Sequence, residues 1–541
     1  VKQKQNDSAD YFLGGRDATW IAIGASIFAS NIGSEHLIGL AGAGASSGMA
    51  MAHWEIQGWM ILILGWVFVP FYTRSMVYTM PEFLERRYNP QSRTILSVIS
   101  LVSYVLTKVA VTVYAGGLVF QQVFGIKELW GIDFFWIAAI GLVVLTALYT
   151  IFGGMKSVLY TSVLQTPILL LGSLIILVLG FKELGGWDEM MRVCGAVTVN
   201  DYGDTMTNLI RSNDDANFPW LGALIGSAII GFWYWCTDQF IVQRVLSGKN
   251  EMEARRGTIF GAYLKLLPVF LFLIPGMIAF ALHQKYIGAG GEGFLPMLAN
   301  GTANADAAFP TLVAKLLPAG VKGLVVCGIL AALMSSLASL FNSSAMLFTI
   351  DFYKRFKPET PEKKLVGIGQ IATIVIVVLG ILWIPIMRSV GDVLYTYLQD
   401  VQSVLAPGIA AAFLLGICWK RTSAQGGMWG LISGMVIGLT RLGAKVYYSN
   451  AGEVADSTFK YLFYDMNWLF FCGWMFLFCI IVVIVVSLAT EAPTAEKIQG
   501  LVFGTATKEQ KASTRASWNH WDIIHTVIIL AITGAFYWYF W

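Results

Sequence analysis

Charged residues are scarce in this sequence. Asp, Glu, Lys and Arg make up 13% of its 541 residues, against about 25% in an ordinary soluble domain. A soluble protein of this length would need far more charge to cover its surface. Hydrophobic residues reach 56%, with 19 Trp, 34 Phe and 55 Gly, and abundant interfacial aromatics and helical glycines are typical of membrane proteins. The composition therefore predicts an integral membrane protein surrounded by a lipid bilayer.

Several functional classes lack their signature residues in this chain. The formal net charge is only +3 and no dense basic patch occurs, so nucleic acid is not an expected partner. The six cysteines show neither a disulfide framework nor a metal-ligand spacing. The glycine-rich stretch 288–293 lacks the ending of a phosphate-binding loop, and no nucleophile–base constellation is present. We therefore expect neither an enzyme nor a cofactor, and no obligate protein partner is evident.

Apolar stretches long enough to cross a bilayer, roughly 17–25 residues, recur about thirteen times. They lie near 18–48, 53–77, 94–124, 131–153, 157–182, 218–244, 257–284, 320–350, 365–388, 392–418, 425–448, 464–489 and 520–541. The sequence therefore predicts an all-α polytopic membrane protein.

Lys and Arg concentrate in alternate connections between these stretches. Arg74 follows the second, Lys156 the fourth and Arg244 the sixth, whereas the intervening loops are neutral or acidic. Because basic loops stay on the cytoplasmic side, residues 1–17 are predicted to be cytoplasmic. The short loops and sparse outer cysteines favour a bacterial inner membrane.

Two of the apolar stretches are interrupted by polar residues and glycine. The first contains Ser30-Asn31-Ile32-Gly33-Ser34-Glu35-His36, and the sixth is interrupted at Gly231 and again over residues 234–239. Backbone groups freed at such breaks are tolerated at membrane depth only where they face protein or a cavity. Kinked helices are the simpler interpretation. However, breaks five spans apart favour an inverted-repeat transporter with its site near the midplane.

Two isolated charges lie inside apolar stretches, Glu55 in the second and Lys265 in the seventh. A charge at this depth costs about 2.5–3.5 kcal/mol on insertion scales, so each should face a polar interior. One interpretation is a structural ion pair that locks two helices. The other is a polyol site, because a carboxylate accepts hydrogen bonds from sugar hydroxyls and an ammonium group donates to them.

Other side chains near the breaks would suit the same polyol. Asn31, His36 and Gln399 can donate or accept hydrogen bonds. The rings of Tyr234 and Trp235 could cover the apolar face of a sugar.

Adjacent hydroxyls occur in the eighth stretch at Ser335 and Ser336. Membrane serines commonly serve as small packing residues that bond back to their own helix. They could also bind sodium together with carbonyls freed around Ala29 and Ile32. Composition alone favours packing.

Ordered motifs along nearly the whole chain resemble the sodium:solute symporters, specifically their sodium/glucose and sodium/myo-inositol cotransporter branch. The most specific are Ala29-Ser30-Asn31-Ile32-Gly33-Ser34-x-His36, Thr79-Met80-Pro81-Glu82, Trp233-Tyr234-Trp235-Cys236-Thr237-Asp238-Gln239, Met334-Ser335-Ser336-Leu337 and Trp419-Lys420-Arg421.

The resemblance implies a LeuT-type fold of two inverted five-helix repeats plus peripheral helices. The repeats would span residues 18–182 and 218–418, separated by an outer loop at 183–217, with a further outer loop at 285–319 and peripheral helices in 419–541. Family members usually carry one more helix before the segment that begins here, so we expect a truncated or partly numbered chain.

The same resemblance implies the site residues. The sugar site would comprise Asn31, His36, Glu55, Lys265 and Gln399, with Tyr234 closing it from inside and Trp235 beside it. Trp54 and Tyr395 would form the outer gate. Sodium would bind the carbonyls of Ala29, Ile32 and Ala332 and the hydroxyls of Ser335 and Ser336, which reverses the packing interpretation of the two serines.

Three positions depart from the family's pattern. Ser162 stands where the family commonly has an Asp thought to help sodium leave toward the cytoplasm. Ala338 replaces a hydroxyl residue of members that use two sodium ions, so one sodium per sugar is expected. Gly231 replaces a polar side chain that contacts sugar in relatives, which could loosen specificity.

The resemblance therefore implies a symporter that couples sodium entry to hexose uptake by alternating access, with sodium as the coupling ion. Within the same class, myo-inositol or another polyol is the rival substrate. From a different class, the alternative is a sugar sensor or sugar-gated ion pathway that does not concentrate its ligand.

Overall fold

Helices account for nearly all the regular structure of this chain. The computed structural model describes residues 8–33, 35–298, 301–388, 394–450 and 455–541. The α-helices up to residue 195 are Ser8–Leu13, Trp20–Asn31, Ala41–Ser47, Ala52–Glu55, Gly58–Ile63, Val69–Ser75, Met80–Arg87, Pro90–Ser103, Ala110–Phe124, Phe134–Leu184 and Trp187–Gly195.

The later α-helices are Trp220–Gly231, Gln239–Leu246, Glu251–Lys265, Ile274–Gly288, Ala308–Leu316, Ala319–Met346, Lys354–Phe356, Glu362–Arg388, Leu394–Cys418, Ala424–Asn450, Thr458–Lys460, Trp468–Ala489, Ala495–Ile498, Lys508–Ala516 and His520–Tyr539. Several are continued by π-helical turns at Glu35–Leu40, Leu64–Phe68, Tyr104–Val109, Phe232–Thr237, Val269–Leu273, Leu347–Tyr353 and Tyr461–Asp465. Short 3-10 turns occur at Gly14–Arg16, Gly48–Met51 and Ala305–Ala307. Strands Glu128–Leu129 and Ile132–Asp133 pair antiparallel, with Glu128 opposite Asp133.

Within the described residues, ten helices are long and apolar enough to cross a membrane. Three predicted stretches do not reach that standard. The first is interrupted after Trp20–Asn31, the third contributes only the shorter apolar helix Val111–Gln121, and Ala424–Asn450 carries Arg441 and Lys445. The number of thirteen spans thus stays a prediction, although helices cover each predicted stretch.

We call residues 20–47 the first broken helix. Its first segment is Trp20–Asn31, which ends at Ile32. Ile32 is extended, with φ −78° and ψ 101°, and the helix resumes with a π-turn at Glu35–Leu40. The predicted interruption therefore lies where the polar residues indicated.

The second broken helix (residues 220–246) loses its helical conformation at Asp238, where φ is −74° and ψ 127°. Gly231 by contrast is helical, with φ −62° and ψ −40°. The prediction of an interruption at Gly231 is therefore wrong. In this helix the interruption lies at Asp238, within the predicted range 234–239.

A further break, which the sequence analysis missed, divides the helix that follows. We call residues 52–75 the kinked helix. Its segment Ala52–Glu55 ends at Ile56, with φ −80° and ψ 17°, and Gln57 has φ −80° and ψ 26° before the helix resumes at Gly58. The two residues turn the helix so that Glu55 and Gln57 line the same cavity.

The N-terminal segment, expected to be a polar cytoplasmic stretch, packs into the protein from residue 11 onward. Tyr11, Phe12 and Leu13 are buried. The Tyr11 hydroxyl donates to the carbonyl of Ile151 at 3.1 Å, and the Gln243 amide donates to the carbonyl of Phe12 at 2.7 Å. This segment therefore bonds to two helices, Phe134–Leu184 and Gln239–Leu246.

Two glycines allow the first broken helix to touch its neighbour backbone to backbone. A methyl group on Gly44 would overlap the carbonyl of Leu273, and one on Gly276 would overlap the carbonyl of Ala41. Small residues commonly permit such approach in membranes, where packing replaces the hydrophobic effect between helices. The contact holds the second half of the first broken helix against residues 273–276.

Candidate functional site

A polar cavity lies between the two broken helices and the kinked helix. Every side chain predicted for the sugar site lines it, as does the predicted gate residue Trp54. The lining residues are Asn31, Glu35, His36, Trp54, Glu55, Gln57, Ile230, Gly231, Tyr234, Trp235, Lys265, Gln399 and Gln402. The fold thus brings together residues that are separated by up to several hundred positions in sequence.

An ion pair between Glu55 and Lys265 crosses one wall of this cavity. Lys265 Nζ lies 2.6 Å from Glu55 Oε2, and neither side chain exposes more than 4% of its surface. The ammonium group also lies 5.3 Å from the ring centre of Trp235. The two charges therefore form an ion pair that lines the polar cavity. Their role in binding a polyol stays a prediction.

His36 completes this charged wall. Its Nε2 lies 3.1 Å from Glu55 Oε2 and 3.2 Å from Asn31 Nδ2. A carboxylate can only accept hydrogen bonds, so a proton on Nε2 satisfies the contact with Glu55. In the neutral ring Nδ1 is then an acceptor, and it is buried with no hydrogen-bond partner within the described residues.

Three more cavity-lining residues bury a polar atom that has no hydrogen-bond partner in the described part of the chain. These atoms are Trp54 Nε1, Tyr234 Oη and Gln399 Oε1. Leaving one buried polar group unsatisfied costs about 1–3 kcal/mol, and native proteins retain few of them. With His36 Nδ1, four such atoms surround one cavity, which suits a ligand that carries several hydroxyl groups.

The cavity itself is narrow in this conformation. Its volume is about 30 Å³, which holds a few water molecules at most. On one side Trp54 stacks against Trp468, with ring centres 5.4 Å apart and planes at 23°, and its ring meets Phe218 edge-on. A ring-sized ligand therefore requires these walls to move apart. The side chain of Tyr395, the other predicted gate residue, lies outside those the structure describes.

A second buried ion pair lies beside Tyr234 at the break of the second broken helix. Asp238 caps the segment Gln239–Leu246 by accepting from the Phe240 amide at 3.2 Å. Lys108 Nζ donates to Asp238 Oδ2 at 2.6 Å and lies 4.6 Å from the ring centre of Tyr234. The sequence analysis missed Lys108, although a lysine within an apolar stretch carries the same signal as Lys265.

The serines predicted to bind sodium lie against the break in the first broken helix. Ser336 Oγ donates to the carbonyls of Ser30 and Ile32, at 3.1 and 3.2 Å. A Cβ on Gly33 would come within 2.8 Å of Ser336 Oγ, so glycine allows this approach. Hydroxyl and carbonyl oxygens suit a hard cation, and carbonyls freed at broken helices commonly bind sodium in transporters.

Ser335 extends this group of oxygens toward the fifth span. Its Oγ lies 3.2 Å from that of Ser162, which donates to the Val158 carbonyl at 2.7 Å. Ser162 thus lies beside the predicted sodium ligands, at the position where an acid was expected. Ala29, Ala332 and Ala338 are also buried, and Ala338 brings no hydroxyl.

The cavity also contains polar residues that sequence reasoning did not assign to it. They are Glu35, Gln57 and Gln402. Glu35 stands inside the polar break and could have been included on that basis. Gln57 carried no sequence signal, because nothing around it predicts the kink that turns it inward.

Comparison with known proteins identifies relatives of the whole chain. The profile of the Sodium:solute symporter family matches residues 11–434. The human sodium/myo-inositol cotransporter 2 is 37% identical over 518 residues, which cover 93% of this chain and 76% of the human protein. The dog sodium/myo-inositol cotransporter is 37% identical over 525 residues, covering 93% and 72% of the two chains.

Among solved structures, a substrate-bound outward-open state of a sodium-coupled sialic acid symporter is similar over 91% of this chain and 94% of that one. The TM-score is 0.72 and the sequence identity 22%. The likeness confirms the LeuT-type fold implied by the motifs.

Proposed function

Since this chain belongs to the sodium:solute symporter family, whose members use sodium to drive a solute across the membrane, we propose that its solute is a cyclic polyol and that myo-inositol is the first candidate. The protein is a multi-pass membrane transporter and not an enzyme, and sodium is its coupling ion. The identity of the solute is the part that we propose.

The single observation that supports a polyol is the set of buried, unpaired polar atoms around one cavity. Gln399 Oε1 can only accept hydrogen bonds, Trp54 Nε1 can only donate, and Tyr234 Oη can do both. His36 Nδ1 accepts when the proton of the neutral ring is on Nε2. A hydroxyl group both donates and accepts, so a ring bearing hydroxyls on all sides could satisfy all four. Binding would then recover the cost of leaving these groups unsatisfied.

Myo-inositol takes first place over a hexose for two reasons. The two relatives reported above are named myo-inositol cotransporters, whereas the sequence motifs alone led us to expect a hexose. The cavity is also rich in acceptors, with Glu35 and Glu55 beside His36 and Gln399. A ring with six hydroxyls offers a donor at each carbon, whereas the ring oxygen of a pyranose can only accept.

Coupling would arise where the two predicted sites share the first broken helix. Asn31 and His36 of that helix line the cavity, while the carbonyls of Ser30 and Ile32 receive the Ser336 hydroxyl. Sodium bound among these oxygens would hold the break against helix Ala319–Met346. It would thereby keep Asn31 and His36 in position to bind the polyol. Each ligand would then raise the affinity for the other by the same factor, as linkage requires.

The driving force suffices for concentrative uptake with one sodium per solute, the ratio that Ala338 led us to expect. One charge crossing about 100 mV releases about 2.3 kcal/mol, and a tenfold sodium gradient adds about 1.4 kcal/mol. Together they could sustain a solute gradient of roughly 500-fold.

Uptake into proteoliposomes tests this proposal. Purified protein is reconstituted, and entry of labelled myo-inositol, glucose and galactose is measured with an inward sodium gradient, with potassium in place of sodium, and with a proton gradient alone. We expect sodium-dependent accumulation of myo-inositol above the external concentration. Accumulation of a hexose but not of inositol would return the hexose to first place. Sodium-dependent binding with no uphill entry would instead support the sensor or ion-pathway alternative.

A further inference from the structure

The kinked helix places two polar side chains two positions apart on the same wall. Successive residues of a regular helix are turned by about 100°, so residues i and i+2 point in different directions. The non-helical dihedrals of Ile56 and Gln57 remove that separation. Glu55 and Gln57 consequently both line the polar cavity, and Gln57 is only 2% exposed.

The amide group of Gln57 occupies space that exists because residue 231 is glycine. A Cβ on Gly231 would lie 3.0 Å from Gln57 Cδ and 3.2 Å from Nε2, and it would overlap Oε1. Gly231 is helical, so neither a turn nor a left-handed backbone explains the glycine. The missing side chain makes room for the glutamine amide across the cavity wall.

One hydrogen bond fixes the orientation of this amide. Gln57 Nε2 donates to the carbonyl of Ser227 at 2.9 Å. A carbonyl can only accept, so the NH2 group, and not the oxygen, must face Ser227. Oε1 then points away from that bond, and no described residue donates a hydrogen bond to it. Because Gln57 lines the cavity, a ligand hydroxyl is the available donor.

We infer that Gln57 is a substrate-binding residue whose Oε1 accepts a hydroxyl of the transported polyol, in place of the polar side chain that Gly231 lacks. The inference deepens the proposed function and rests on it. From the sequence alone, Gly231 is expected to loosen specificity. The hydrogen-bond acceptor, Gln57 Oε1, instead comes from the kinked helix. Gln57 therefore helps to determine which polyol is bound.

The first test replaces the amide by an apolar side chain of similar size. For Gln57→Leu we expect an apparent affinity about tenfold lower, with a maximal uptake rate close to that of the wild type. The probes are myo-inositol and its monodeoxy analogues, or glucose and its deoxy analogues if glucose is the compound accumulated. The wild type should discriminate against one particular deoxy analogue, and Gln57→Leu should lose that discrimination.

Gln370→Leu provides a matched control. Gln370 also donates its amide to a backbone carbonyl, that of Ile151 at 3.0 Å, but it does not line the cavity. This variant should keep the wild-type affinity and the wild-type discrimination among deoxy analogues.

A double substitution separates binding from folding. Gly231→Ser should weaken binding because its Cβ displaces the Gln57 amide, and Gln57→Ala should weaken it by removing the acceptor. Gln57→Ala/Gly231→Ser should bind better than either single variant, since the serine hydroxyl occupies the space that the amide leaves. This comparison decides the question even if Gln57→Leu fails to fold.

The outcomes distinguish this inference from the proposed function. If the wild type accumulates no polyol or sugar with sodium, the proposed function fails, and the inference with it. If the wild type accumulates its substrate but Gln57→Leu retains both affinity and discrimination, only the inference is overturned. A double variant no better than the weaker single variant overturns it as well.

Discussion

Lys108 and Asp238 form an ion pair of 2.6 Å directly beside the ring of Tyr234. Both side chains are almost fully buried, with 3% and 2% of their surface exposed. Tyr104 donates a third hydrogen bond to the same carboxylate, beside those from Lys108 and the Phe240 amide. The pair therefore ties the π-helical turn Tyr104–Val109 to the break in the second broken helix. It lies next to Tyr234, the residue predicted to close the cavity from inside.

We predict that removing one partner of this pair is more damaging than removing both. Lys108→Met leaves the buried Asp238 carboxylate without its cation, and Asp238→Asn leaves the buried Lys108 ammonium without its anion. Either change should cost about 3–5 kcal/mol in stability. The double variant should recover a large part of that loss. Thermal unfolding of the purified protein in detergent measures it.

A surface ion pair supplies the control for that experiment. Asp456 pairs with Lys460 at 2.9 Å, but 94% of the Asp456 side chain is exposed. Lys460→Met should leave the unfolding temperature unchanged. A double Lys108→Met/Asp238→Asn variant as unstable as the worse single variant would contradict the predicted charge compensation.

The second prediction concerns sodium activation. Ser336→Ala removes the hydroxyl that bridges the eighth span to the carbonyls of Ser30 and Ile32. We expect the sodium concentration for half-maximal uptake to rise about tenfold or more, because a predicted oxygen ligand is lost. The variant should still fold, at a cost of about 1–3 kcal/mol in stability, because the buried carbonyls lose their donor. Uptake measured over a range of sodium concentrations gives the value.

Ser344→Ala is the matched control for the serine experiment. Ser344 lies on the same helix, and its hydroxyl is buried without a hydrogen-bond partner within the described residues. Its removal should not change sodium activation. Unchanged sodium dependence in Ser336→Ala would place the ion elsewhere.

Some residues of this site could be predicted from the sequence, because polar and charged side chains are rare inside membrane-spanning stretches. Polar residues between Ser30 and His36 interrupt an apolar run, and Glu55 and Lys265 are isolated charges. The structure brings Asn31, Glu35 and His36 of that run into one cavity with the two charges. Periodicity and hydropathy likewise located the helices, because each span must satisfy its own backbone hydrogen bonds.

Other features depend on tertiary contacts that leave no local signal. The kink at Ile56 and Gln57 follows a run with neither Pro nor Gly until Gly58, so a regular helix was the natural expectation. Composition predicts a helix break at Gly231, yet the glycine instead leaves room for the side chain of Gln57. Such roles appear only once two helices are packed together.

The third prediction contrasts two buried tyrosines. The Tyr234 hydroxyl has no described partner, whereas the Tyr72 hydroxyl donates to the carbonyl of Cys236 at 2.6 Å. Tyr234→Phe should therefore keep the stability of the wild type while lowering substrate affinity about tenfold. Tyr72→Phe should instead lower stability by about 1–3 kcal/mol, since it leaves a buried carbonyl unsatisfied. Binding isotherms and thermal unfolding of both variants test the contrast, and a loss of stability in Tyr234→Phe would argue against an unpaired hydroxyl.

The last prediction concerns the backbone contact that supports the first broken helix. A methyl group on Gly276 would overlap the carbonyl of Ala41, and helix backbones cannot yield as a flexible side chain can. Gly276→Ala should therefore separate the two helices and reduce both stability and transport strongly. Gly141 also lies inside a helix, but a Cβ there meets nothing within 4 Å. Gly141→Ala should be neutral or stabilising by up to about 1 kcal/mol, as expected for alanine in a helix. If the two variants unfold at the same temperature, the close contact between residues 41 and 276 does not support the fold.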